Sequence, residues 1–79
     1  MNNDIFTSIL KHVEDNMLNI VPLVASGKPS SKMYFEYHMA YEVTEQLNKH
    51  DMETQDRRMI FDKVMLSILE IAKKKGVIA

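Results

Sequence analysis

Apolar and polar positions alternate along this chain with the period of helices, and no stretch alternates residue by residue as a strand does. In the first stretch, Phe6, Leu10, Val13, Met17 and Ile20 recur at steps of four, three, four and three, and Ile5 and Ile9 widen the stripe. Ser8, Lys11, Asp15 and Asn19 take the other side. This predicts an amphipathic helix over about 3–21, capped by Asn3, with Asp4 at the positive end of its dipole. Pro22 disfavours helical geometry at Val21 and sets the expected end.

The last stretch predicts a helix over about 52–75. Phe61, Val64, Ile68 and Ile71 keep the three–four spacing, supported by Ile60, Met65, Leu69 and Ala72. Asp51 is its expected cap, and Glu53 with Arg57 and Glu70 with Lys74 have the spacing of ion pairs. In "KKKG", three cations meet the negative end of the dipole, Gly76 supplies a left-handed residue, and Val77 makes the apolar contact beyond it.

The middle stretch begins with "VASGKPSSK", which has a lysine after a glycine as phosphate-binding loops do. Pro22 stands where such a loop needs its first glycine, and Pro29 stands where it needs serine or threonine. Proline also lacks the N–H that a phosphate cradle uses. Residues 22–30 are therefore read as a linker, with Ser30 or Ser31 capping a second helix over about 31–49. On that helix Met33, Tyr37, Ala40, Tyr41, Val43 and Leu47 form a broad face expected to enter the core. Glu42, Glu45 and Lys49 are solvated. Phe35 and Met39 project from the opposite side, so the first two turns are apolar nearly all round.

A three-helix monomer needs one core face from each helix, which makes Phe35 and Met39 surplus. Contiguous apolar surface of this kind marks a binding site. The expected interface is Tyr34, Phe35, His38 and Met39, joined by Met59 and Leu66 from the polar side of the third helix. Leu18 is read as an isolated surface hydrophobe.

Size sharpens this expectation. Seventy-nine residues make one domain, 1–79, too short to bury more than about 60% of its unfolded surface. With no cysteine, disulfides and thiolate metal sites are excluded, leaving packing and association to stabilise it. Seven methionines suit irregular cores and adaptable surfaces alike. The net charge of −1 lacks the field of most nucleic-acid binders. The longest uncharged apolar run, "MLNIVPLVAS", falls short of the roughly 20 residues of a membrane span. The N-terminus has no basic leader, so the protein is read as cytoplasmic.

Site chemistry is sparse. His38 and Glu42 have ligand spacing, but a metal needs three or four ligands and no Glu-x-x-His repeat supplies them. Glu36, inside the apolar arc of the second helix, is expected to snorkel or to pair across an interface with Arg57 or Arg58. The three histidines are scattered, no nucleophile meets a base, and the reading is a non-enzymatic protein with no metal or cofactor.

The sequence thus predicts an all-α three-helix bundle with helices two and three as an antiparallel hairpin. Its expected role is a protein–protein interaction module, as regulator, inhibitor or adaptor, forming a homodimer or docking on a larger protein. Its size suits an accessory factor of a phage or other mobile element. The alternative is a DNA-binding regulator reading through Gln55, Arg57 and Arg58, opposed by Asp51, Glu53 and Asp56 among them.

Overall fold

The three apolar periods fold into α1 (Asn2–Val24), α2 (Ser30–Leu47) and α3 (Thr54–Lys74). The computed structural model describes the backbone of residues 2–24 and 30–78 and the side chains of 3–17 and 32–78. Among these there is no strand, and each helix packs on the other two. At 1.5 Å per residue, the 18 residues of α2 and 21 of α3 reach about 27 and 32 Å, within a molecule of 38 × 18 × 17 Å. Only residues 48–53 separate them, so α3 runs back along α2 as an antiparallel hairpin.

The core consists of three lines of side chains, each stepping by four residues. Ile9, Val13 and Met17 come from α1; Phe35, Met39, Val43 and Leu47 from α2; Ile60, Val64, Ile68 and Ala72 from α3. Residues four apart form a ridge on a helix surface, and ridges from neighbouring helices interdigitate. Ile5, Phe6, Leu10, Met52, Phe61, Met65, Leu69, Ile71 and Val77 pack half-buried around them. No polar or charged side chain among the described residues is buried.

The α2 line corrects the expected facing of that helix. Phe35 and Met39, expected outside, are fully buried, while Met33, Tyr37 and Tyr41, expected inside, are 73%, 73% and 60% exposed. Both sides are apolar, so the distinction lies in the hydroxyls. A buried tyrosine must find a partner for its O–H, and a core without buried polar groups has none to give. Phe35, Met39, Val43 and Leu47 carry no such demand.

Helix boundaries shift as well. α1 continues past Pro22 to Val24: the missing N–H forfeits one bond to the carbonyl of residue 18, within the last turn, where the helix is ending anyway. α1 starts at Asn2, so Asn3 lies inside it and accepts a hydrogen bond from the Thr7 hydroxyl at 2.9 Å rather than capping the helix. α2 ends at Leu47, where tight-turn bonds from Lys49 to the Gln46 carbonyl and from His50 to the Leu47 carbonyl take over. α3 starts at Thr54 after an extended Glu53, with no side-chain cap, so Asp51 does not cap it. Half-buried Met52 packs on the core and carries the chain across the end of the bundle before α3 begins. The linker from 25 to 29 and the side chains of Leu18, Ile20, Ser30 and Ser31 lie outside the described residues.

The end of α3 follows the expected chemistry. Gly76 has φ of 74°, its N–H reaches the Lys73 carbonyl at 3.1 Å, and the Val77 N–H reaches the Ala72 carbonyl at 2.9 Å. These two bonds define a Schellman end, and they turn Ile78 back into the core. A Cβ at 76 would meet nothing within 4 Å, so the cost of Gly76→Ala is purely one of backbone conformation. It should lower stability by about 1 kcal/mol, read as a shift of the urea midpoint at constant slope. An unchanged midpoint would contradict this ending.

Candidate interaction surface

With Phe35 and Met39 inside, the outer face of α2 is built from other residues. Met33, Tyr37 and Tyr41 are successive members of one four-residue row, and Tyr34 lies beside Tyr37 on the next. Tyr34, 45% exposed, packs against the His38 ring with centroids 4.6 Å apart and planes tilted by 54°. The result is an apolar, aromatic strip about two turns long. Tyrosine suits such a place, since its ring can be covered by a partner while its O–H stays wet. Of the expected interface residues, Tyr34 and half-buried His38 belong to this strip, whereas Phe35 and Met39 belong to the core.

Met59 and Leu66 on α3 are exposed. They lie seven residues apart, and Asp62, Lys63 and Glu70, all exposed, surround them on their own helix. Isolated apolar side chains among charges are ordinary surface.

One edge of α2 is fixed by polar contacts to α1. Asn16 donates to the Glu42 carboxylate at 3.3 Å and lies 3.1 Å from His12 Nε2. Glu42 is thereby directed along the α1–α2 seam and away from the strip. On the far side of the bundle, Lys75 pairs with Glu14 at 3.5 Å, a partly exposed ion pair worth at most about 1 kcal/mol.

The three residues expected to read DNA take different positions. Gln55 and Arg58 are exposed, but Arg57 is half-buried and its guanidinium bonds the Leu47 carbonyl at 3.3 Å and the Asn48 side-chain oxygen. It therefore neutralises the carbonyl end of α2 from the first turn of α3. The expected Glu53–Arg57 ion pair is replaced: the Arg57 backbone N–H donates to the Glu53 carbonyl at 3.0 Å, while the guanidinium is engaged at the end of α2. Arg57→Ala should cost about 1 kcal/mol in thermal or urea unfolding. A residue held free for phosphate would leave stability unchanged on removal.

Among the described residues no three His, Cys, Asp or Glu side chains gather as a metal site, and no helix is long and apolar enough to cross a membrane. The class defined by the fold is a small all-α three-helix bundle. Compared with protein-family models, curated proteins and solved structures, the chain gives no match.

Proposed function

We propose that this protein is a small, non-enzymatic interaction module that regulates, inhibits or adapts another chain through the outer face of α2. The observation supporting this is the Met33–Tyr34–Tyr37–Tyr41 strip, an uninterrupted apolar surface on a domain too small to leave much of it idle. Aromatic side chains contribute much of the binding energy at protein interfaces, and three of the four here are tyrosines. The partner is a protein, because a net charge of −1 and the engagement of Arg57 leave no basic footprint for nucleic acid. The surface works by presenting rings already held by a folded helix, so docking orders few new side chains.

The test introduces carboxylates on each face. Tyr37→Glu/Tyr41→Glu should keep the helical circular dichroism of the parent and abolish its association, whether measured by mass in solution or by photo-cross-linking from position 33 in cells. Met59→Glu/Leu66→Glu should leave both intact. Association unaffected by the α2 pair, or lost with the α3 pair, would overturn the reading.

A further inference from the structure

We propose that Met33 is a site of reversible oxidation by peroxides, and that its sulfoxide closes the outer face of α2 to docking without unfolding the domain. The regulatory half rests on the reading of that face as a docking surface; the oxidation site itself does not. The chain has no cysteine, so a peroxide meets no thiol, and the thioethers of its methionines are the groups open to it. Burial then ranks them. Met17 and Met39 are fully enclosed in the core, and Met52 and Met65 are half-buried against it. Met59 is 46% exposed, and Met33, at 73%, is the most open of those described.

Position gives Met33 its effect. Met59 stands among exposed Arg58, Asp62 and Lys63, where one more dipole changes little. Met33 opens the row that continues through Tyr37 and Tyr41, and alone among the residues of the strip it carries no hydroxyl. It is therefore the end of the strip that a partner can cover at no cost in lost hydrogen bonds to water. A sulfoxide there replaces a soft, apolar side chain with a strong hydrogen-bond acceptor, which docking must strip of water.

The step needs only the peroxide. The sulfur lone pair attacks one peroxide oxygen, so that an S–O bond forms as the O–O bond breaks and sulfur is oxidised to the sulfoxide. The other oxygen is reduced and leaves as water, or as an alcohol from an alkyl peroxide, taking the proton of the transferred oxygen. Methionine sulfoxide reductases reverse the change. Because Met33 lies outside the buried core, the added oxygen disturbs none of its packing, and the bundle persists.

Dilute hydrogen peroxide followed by peptide mass mapping should add oxygen to Met33 first and to Met59 next, with Met17 and Met39 several-fold slower until urea is present. Helical circular dichroism should be unchanged once Met33 is oxidised. Met17 or Met39 reacting as fast as Met33 in the native protein, or helix lost with the Met33 sulfoxide, overturns the site. For docking, a photoreactive residue in place of Tyr41 reports the partner in cells. Peroxide should lower that adduct several-fold in the parent but not in Met33→Leu, which keeps the apolar bulk without the thioether. An adduct unchanged by peroxide, or lost equally in Met33→Leu, overturns the regulation and leaves the docking face. No adduct from position 41 in untreated cells removes the docking face and its regulation together.

Discussion

Phe35→Ala lowers the stability of this protein by about 3–5 kcal/mol, whereas Tyr37→Ala, two residues away on the same helix, changes it by less than about 0.5 kcal/mol. Phe35 is the largest of the fully buried side chains, and its removal leaves a cavity between three helices that cannot collapse independently. A domain of 79 residues has a total of roughly 4–12 kcal/mol, so the loss takes a large part of its stability. Tyr37 is 73% exposed and gives up little by truncation. Urea unfolding followed by circular dichroism separates the two, and a reversed order would mean that α2 faces the other way.

Val13→Asp should abolish cooperative folding at neutral pH. Val13 is fully buried in the α1 line, and none of the described side chains buried around it is polar or charged. A carboxylate placed there has neither cation nor donor beside it, and the unsatisfied charge costs several kcal/mol at least. That cost adds to the lost apolar burial and approaches the whole stability of the domain. The expected result is loss of the sigmoidal thermal transition and of most helical signal. Asp15, two residues along on the exposed side of α1, shows that the sequence already tolerates a carboxylate just outside the core. A folded Val13→Asp protein with a normal transition would contradict the assigned core line.

Much of this architecture is legible in the chain because α1 and α3 are one-sided. Their polar positions leave a single arc to bury, and Val13, Met17, Val64 and Ile68 lie in it. The Schellman end is equally legible, since a glycine after a run of lysines has few other uses. Val43 and Leu47 enter the core as the periodicity predicts, but Phe35 and Met39 take the place expected of Met33, Tyr37 and Tyr41. The reason is that the first two turns of α2 are apolar on both sides, and tyrosine counts as apolar by ring and polar by hydroxyl. The signal that resolves it is chemical rather than periodic. Phe35, Met39, Val43 and Leu47 form an unbroken four-residue row without a single hydroxyl, matching the row Ile60, Val64, Ile68 and Ala72. Arg57 was legible as a cation at a helix start, but its grip on Leu47 and Asn48 depends on the path of the 48–53 connection, which local spacing does not encode. The general notion of surplus apolar surface on α2 followed from the sequence, while the residues that constitute it required packing to decide.

The direction in which α2 faces governs both the core and the docking strip, and the tyrosines report it directly. The chain has three tyrosines, Tyr34, Tyr37 and Tyr41, all on the outer face of α2, and no tryptophan to mask them. Acrylamide quenching of tyrosine fluorescence, in solution dilute enough to hold the chain as a monomer, should be nearly as efficient in the native protein as in urea. Native tyrosines strongly shielded from the quencher, and released only on unfolding, would contradict the account.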